Sequence, residues 1–423
     1  MPEMNLPVHW KTARLGDVTD IFKGGTPKRS VEKYFRGDIP WAIPTDITAL
    51  DSALYIDDTD THISEEALGK SAARLLPAGT VLLTSRATIG ETAITTIPMA
   101  TNQGFANFMC KEMLLNVYLA YYLRYVKKRL IDLAHGSTFK EITKGTLLNV
   151  EIPLPPLPEQ RAIAHVLQAI QEAKAARQRE LALERERKAA LMDHLFSHGT
   201  KGEPRKQTEI GEIPESWEVV ELGDYSELIT KGSSPKWQGF DYCDEGIYFV
   251  RSQNIGLGRL ELNEIAYLPK EFNEKEKKSI LQKNDLLINI VGASIGRAAV
   301  ANDIIEGGNV NQAVAIARLK QEIEPFFVMT FLLTLDGQFQ LHKQKKDIAR
   351  ANLSLQDIKN LLIPLPSVSE QTETVEILRA CDTKIAALEQ EAERLDELFH
   401  AMLDELMTGK RSAVPLIDSE LPN

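Results

Sequence analysis

Cysteine is scarce in this chain: Cys110, Cys243 and Cys381 are odd in number and widely spaced. That excludes a disulfide framework and a four-thiolate zinc site, and it fits a reducing cytoplasm. Long apolar runs are missing too. None approaches the ~20 residues that span a bilayer, and the N-terminus has no basic stretch leading into an apolar one, so a soluble, unexported chain with no membrane partner is expected. His194 and His198 have the i, i+4 spacing of a helical metal pair. Nothing nearby supplies a third ligand, so ordinary helix-end histidines and no metal site are expected. Gly69-Lys70-Ser71 ends like a phosphate-binding loop, but Ser64 stands where the first glycine is needed. Leu154-Pro155-Pro156-Leu157 lacks the polar first residue and the aromatic ring with which an amino-methyltransferase holds a flipped base. No Ser/His/Asp ordering and no carboxylate cluster with nuclease spacing stands out. The chain is expected to have no catalytic centre and no cofactor of its own.

The net charge of −11 argues against a nucleic-acid partner until it is read by region. Residues 1–157 balance 17 basic against 17 acidic side chains, whereas residues 369–423 carry 5 against 13. Most of the acidity therefore lies in the second half, above all near its end, and a local basic face elsewhere is permitted.

What the sequence does contain is a long duplication, at an offset of about 207 to 211 residues. Trp10 and Leu15-Gly16-Asp17 return as Trp217 and Leu222-Gly223-Asp224; Ile89-Gly90 returns as Ile295-Gly296, and Asn102-Gln103 as Asn311-Gln312. Late in each unit, Ile152-Pro153-Leu154-Pro155 and Glu159-Gln160 match Ile363-Pro364-Leu365-Pro366 and Glu370-Gln371. The period exceeds that of solenoids and propellers, so each unit is a folded module. With 43% hydrophobic residues there is apolar material for two cores.

β-rich runs bounded by turn residues lie at 39–43, 80–85, 91–97 and 105–110, and again at 247–250, 285–291 and 313–319. Helical spacing follows at 114–133 and 325–342. Strands followed by helices, without regular alternation, predict an α+β (mixed α/β) class. The prolines after Ile152 read as a stiff stop, and Leu157-Pro158-Glu159-Gln160 as a helix entrance.

Two seams then follow with alternating steps of three and four. The first is Ile163, Leu167, Ile170, Lys174, Arg177, Leu181, Glu184, Lys188, Leu191 and Leu195. The second is Leu378, Cys381, Ile385, Leu388, Ala392, Leu395, Phe399, Met402 and Leu406. The first is polar in the middle, where the second is most apolar, so the two are expected to pair with each other as an antiparallel coiled coil, the stems of Lys174, Arg177 and Lys188 covering the apolar side. A helix of this length spans ~60 Å. The expected architecture is two tandem homologous globular modules, 1–157 and 201–368, separated by long helices at 158–200 and 369–410. A pseudo-two-fold would relate the halves, and a tail at 411–423 is expected to fray.

The ordered set of Gly24-Gly25-Thr26-Pro27, Ser85-Arg86-Ala87-Thr88-Ile89-Gly90-Glu91, Thr101-Asn102-Gln103, Gly136-Ser137-Thr138, the Ile-Pro-Leu-Pro runs and Glu159-Gln160 resembles the specificity subunit of type I restriction-modification systems. Thr208-Glu209-Ile210-Gly211-Glu212-Ile213-Pro214-Glu215-Ser216-Trp217 looks like that family's entry into a target-recognition domain. The resemblance covers about Trp10 to Gly409. It implies a non-catalytic, cytoplasmic prokaryotic protein that reads an asymmetric bipartite site in double-stranded DNA, one half per module. It further implies two methyltransferase subunits using S-adenosylmethionine, and two motor/nuclease subunits using ATP and Mg.

Sequence readout needs amides and guanidinium groups, while hydroxyls, backbone amides and cations fix phosphates. In the first module the candidates are Lys23, Thr26, Lys28, Thr45, Ser85, Arg86, Thr88, Asn102, Gln103, Ser137, Thr138 and Lys140. In the second they are Lys231, Ser233, Ser234, Lys236, Arg251, Ser252, Gln253, Asn254, Ser294, Arg297, Asn311, Gln312, Arg350 and Asn352. The residues that recur, Asn102, Gln103, Asn311 and Gln312, suit backbone capping or phosphate contact better than readout, because modules with different targets should differ where they read bases. Arg86 departs from its repeat counterpart, placed near Gly292 by simple offset. The acidic face of the last helix, from Glu389 to Glu405, is either solvated or met by basic partner surface. Two other readings compete: a two-module protein-binding scaffold and an enzyme acting alone. A modification-only system is a narrower variant of the first.

Overall fold

In each module the first strand pairs with the last. The computed structural model describes residues 6–51, 53–136, 140–343 and 352–417. It divides into two compact units, Met1–Arg179 with Glu389–Asn423, and Glu180–Leu388. The division cuts both long helices rather than falling at their ends.

The first unit contains β1 (Lys11–Arg14), β2 (Thr19–Lys23), β3 (Ile39–Ala42), β4 (Tyr55–Ile56), β5 (His62–Ile63), β6 (Val81–Thr84), β7 (Thr92–Thr95), β8 (Ala100–Thr101), β9 (Phe105–Cys110) and β10 (Glu151–Leu154). Its main sheet has the order β2-β9-β6-β7-β4, a smaller one β5-β3-β8, and β1 pairs β10. The second unit contains β11 (Arg205–Thr208), β12 (Gly211–Pro214), β13 (Glu218–Glu221), β14 (Ser226–Lys231), β15 (Ile247–Val250), β16 (Ala266–Leu268), β17 (Leu286–Asn289), β18 (Ala298–Val300), β19 (Asn309–Val310), β20 (Val314–Leu319) and β21 (Leu362–Leu365). Its sheets run β14-β20-β17-β18 and β16-β15-β19, with β13 on β21. The topologies match, down to the parallel pairs β3–β8 and β15–β19. They differ in β4, which only the first unit adds to its main sheet, and in the β11–β12 hairpin of the second. The central strands β6 and β17 are buried along their whole length, which is why they read as continuous apolar runs rather than alternations.

Three local expectations need correction. The Ile-Pro-Leu-Pro runs are strands: Pro153 faces Thr12 and Pro364 faces Val219 in two-stranded ladders, where a missing N–H is tolerated. The single helices expected at 114–133 and 325–342 are each two, Asn116–Tyr125 with Lys127–Asp132, and Pro325–Leu333 with Leu335–Lys343. Thr334 breaks the second with an extended backbone, its hydroxyl donating to Phe331 O and accepting from Gly337 N. A one-residue break leaves the apolar phase of each half intact, so periodicity does not register it. The fraying expected from residue 411 fails for Ala413, fully buried in the first core, and for the 3-10 turn Val414–Leu416.

The repeated glutamine has one job in both units. Gln160 accepts from Leu115 N at 2.8 Å and donates to Met113 O and Pro155 O at 3.0 and 2.9 Å. Gln371 accepts from Glu324 N at 2.8 Å and donates to Glu322 O and Pro366 O, each at 3.0 Å. Each amide ties a long-helix start to the start of the module's own helix. The preceding glutamate has changed partners. Glu159 accepts from Trp10 Nε1 at 2.9 Å, whereas Glu370 takes Lys201 Nζ at 2.9 Å.

The long helices are Leu157–His198 and Val368–Met407. In the first unit Lys174 pairs with Asp396 and Arg177 with Glu391; in the second Lys188 pairs with Asp382, and Lys384 with Glu180 and Glu184. Numbers fall along one helix as they rise along the other, so within each unit the helices run antiparallel. Seam residues Ile163, Leu167, Leu195, Leu378, Leu388, Phe399 and Leu406 are buried, and Ile170, Leu181, Leu191, Ile385, Leu395 and Met402 are half-buried. The central lysines and arginine do more than cover apolar neighbours, because their charged ends are matched by carboxylates of the other helix. Asp396 and Glu391, read as part of a solvated or partner-binding face, are thus engaged within the chain.

Lys174 holds the Asp396 carboxyl below its ordinary value, and Lys410, with Tyr125, does the same for Asp404. With the folded values depressed, this stabilisation is complete above about pH 4 and is lost as pH falls through them. Thermal unfolding at pH 7 and pH 3 should show an acid-sensitive part that Asp396→Asn reduces. The expected contribution is below about 1 kcal/mol, since the pair is partly exposed; an unchanged acid sensitivity in the variant would refute the assignment.

Candidate nucleic-acid interface

In the first unit, loops meet at the end of β2, β3 and β6. Lys23 closes β2, and the next two glycines cross the chain that follows β8: Gly25 N donates to Thr101 O at 2.9 Å. A Cβ on Gly24 would lie 2.0 Å from Asn102 O, so only glycine permits this approach. Asn102 N in turn donates to Ala42 O, Ser85 N to Gly104 O, and Ile142 N to Ser85 O. These bonds gather Lys23, Thr26, Thr45, Arg86, Asn102, Gln103 and Glu141 on neighbouring loops. Thr26 Oγ1 is hydrogen-bonded to Gln103 Oε1. Glu141 binds Arg86 Nη2 at 2.7 Å and Lys23 Nζ at 3.0 Å. Burial alone would raise the Glu141 carboxyl, but the hydrogen bonds and charges of Arg86 and Lys23 outweigh it and hold the group below its ordinary value.

The second unit repeats the construction. Lys231 closes β14, and a Cβ on Gly232 would lie 1.6 Å from Val310 O. Asn311 N donates to Val250 O, Ile290 N to Ala313 O, and Leu353 N to Ile290 O. Lys231, Ser233, Arg251, Ser252, Asn311, Gln312 and Asn352 are thereby brought to adjoining loops. Arg251 is drawn aside, with Nη2 on Glu264 O at 2.8 Å and its guanidinium over Tyr242.

The remaining candidates fall into three groups. Ser85 and Asn254 are buried and bonded to backbone, Ser85 Oγ to Gly104 O and Asn254 to Arg251 N and Glu261 O. They shape loops, with their side-chain polar groups bonded to backbone. Asn102 and Asn311 cap equivalent turns, accepting from Gly104 N and Ala313 N, while Gln103 and Gln312 are exposed. Lys28, Thr88, Lys140, Lys236, Gln253 and Arg297 are exposed, and Ser234 and Ser294 half-buried. Ser137, Thr138 and Arg350 lie outside the described residues.

Bridging fixes an equivalence that offset missed. Arg86 bridges Glu141, and Val291 bridges Asn352. The next residue is left-handed in both units, Ala87 at φ 56 and Gly292 at φ 72. Arg86 therefore corresponds to Val291, not Gly292, and the second loop is one residue longer before the shared Ile-Gly. Glu141 and Val291 were not singled out from sequence, because nothing local marks a carboxylate that will meet a distant arginine. His194 and His198 stack at 4.4 Å, and among the described residues no cluster of three or more histidine, cysteine or carboxylate side chains could hold a metal ion. Among them, too, no helix is long and apolar enough to cross a membrane.

Residues 7–185 and 214–397 each match the family described as type I restriction modification DNA specificity domain. Among curated relatives, the type I restriction enzyme MjaIX specificity subunit of Methanocaldococcus jannaschii is 29% identical, covering 96% of this chain and 94% of its own. The EcoBI specificity subunit of Escherichia coli is 31% identical over 65% of this chain and 61% of its own. Two solved structures share the fold. One, from a study of assembly and conformational transition of the type I R-M system, has TM-score 0.61 at 21% identity, covering 96% of this chain and all of the other (100%). The other, the type I restriction-modification S subunit from M. genitalium, has TM-score 0.59 at 16% identity, with 96% and 97% covered.

Proposed function

Since the chain belongs to the type I restriction-modification DNA specificity family and carries that domain twice, we propose that it is the subunit that reads an asymmetric bipartite DNA target, one half per module. The observation that carries this reading is a shared loop scaffold bearing different side chains: Arg86 and Glu141 in one module stand where Val291 and Asn352 stand in the other. A shared scaffold suits one kind of ligand, and differing side chains suit different base sequences. Lys231, exposed at the end of β14, suits the phosphate backbone.

Catalysis, in this reading, resides in partners: two methyltransferase subunits modifying adenine with S-adenosylmethionine, and two motor/nuclease subunits using ATP and Mg. The paired long helices set the spacing of the half-sites and offer outer faces for docking. On B-DNA, one turn being ~34 Å, helices of this length allow an unread spacer between the two short sequences.

Base-resolved methylation mapping of DNA from cells expressing this chain with its cognate methyltransferase subunit tests the proposal. Methyladenine is expected in one asymmetric bipartite motif and is expected to vanish when the chain is deleted. Methylation that persists unchanged without the chain would refute the role.

A further inference from the structure

One equivalent point in the two modules carries opposite chemistry. In the first, Glu141 clamps Arg86 Nη2 at 2.7 Å and Lys23 at 3.0 Å, with the arginine side chain 42% exposed. In the second, Lys231 occupies the place of Lys23, but the facing pair is Val291, 36% exposed, and the exposed amide of Asn352. The backbone pairing is equivalent in both, since Ile142 N donates to Ser85 O and Leu353 N to Ile290 O.

We infer that Arg86–Glu141 and Val291–Asn352 are the base-reading pairs of their modules, the first selecting a G·C pair and the second an A·T pair. This rests on the DNA-reading function proposed above. A phosphate is poorly served by Arg86, because it would approach a carboxylate already bound to the guanidinium. A G·C pair is well served: in the major groove guanine offers two acceptors, O6 and N7, to a guanidinium, and cytosine offers its N4–H donor to a carboxylate. Glu141 both fixes the arginine fork and supplies the acceptor. In the second module an asparagine amide matches the N6–H donor and N7 acceptor of adenine, and the valine methyls suit the thymine methyl. Neither Val291 nor Asn352 carries charge, so this pair gives no general attraction for phosphate.

The test is methylation mapping of the chain with its methyltransferase subunit, comparing wild type with Arg86→Gln, Glu141→Gln and Asn352→Ala. The expected wild-type motif has a fixed G·C pair in one half-site and a fixed A·T pair in the other. Arg86→Gln and Glu141→Gln should each relax that G·C position by about tenfold or more, the size of one lost base contact, leaving the other half-site intact. Asn352→Ala should relax the A·T position alone. Uniform loss of methylation with an unchanged motif would make these phosphate contacts and overturn the inference, as would relaxation at a pair of the other kind. Should Arg86→Gln fail to fold on thermal unfolding, the isosteric Glu141→Gln decides alone. A wild-type chain that directs no bipartite methylation would instead refute the function itself, which keeps the two failures distinct.

Discussion

Replacing Gln371 with Leu should destabilise the second unit by about 3 kcal/mol, counting about 1 kcal/mol for each of the three hydrogen bonds lost. Gln371 is fully buried and serves three backbone groups, Glu324 N, Glu322 O and Pro366 O. Leucine fills a similar volume, so the loss is of hydrogen bonds and not of packing. Gln160→Leu should act likewise on the first unit. Denaturant unfolding would register the change, and Gln371→Glu separates the causes: it keeps the acceptor for Glu324 N and loses both donors. A loss below about 1 kcal/mol in Gln371→Leu would show that the repeated amide is dispensable.

Gly232→Ala should cost about 3 kcal/mol through overpacking and remove sequence reading by the second module. The added Cβ would lie 1.6 Å from Val310 O, a backbone atom in the crossing chain, with Asn311 O at 2.9 Å. Side-chain rearrangement gives no relief. The loop carrying Lys231 and Ser233 must move away from the loop carrying Asn311 and Gln312, and the residues gathered there separate. Methylation of the native target should fall by roughly 100-fold, in line with the loss of one or two base contacts, and any residual methylation should keep the first half-site while relaxing the second. Gly24→Ala, with its Cβ 2.0 Å from Asn102 O, should show the reverse pattern. A native rate within twofold of wild type would mean that the crossing is not needed for reading.

Much of the architecture is written in local sequence. Two modules follow from an ordered duplication, and two long helices from a three-four spacing that covers Ile163 to Leu195 and Leu378 to Leu406. Both signals survive without knowledge of neighbours, because repetition and helical phase are properties of the chain itself. The polar, turn-rich loops were legible in part, with Gly24-Gly25-Thr26-Pro27 marked as a turn beside Lys23; that Gly24 and Gly232 sit at backbone crossings was not.

Contacts across the fold were not legible. The prolines of the Ile-Pro-Leu-Pro runs look like breakers, and only pairing with β1 and β13 makes them strands. Arg86 was aligned to Gly292 by counting, yet a one-residue insertion shifts its counterpart to Val291, which the bridge to Asn352 and the shared left-handed residue reveal. Ser85 looked like a surface hydroxyl and is buried against Gly104 O. Sequence by itself determined that this protein is two similar modules and a pair of helices, since these depend on spacing along one chain. The tertiary structure alone decided that Glu141 meets Arg86 and Asn352 meets Val291, because which side chains face each other across loops depends on strand register and loop crossing, and neither is encoded by nearby residues.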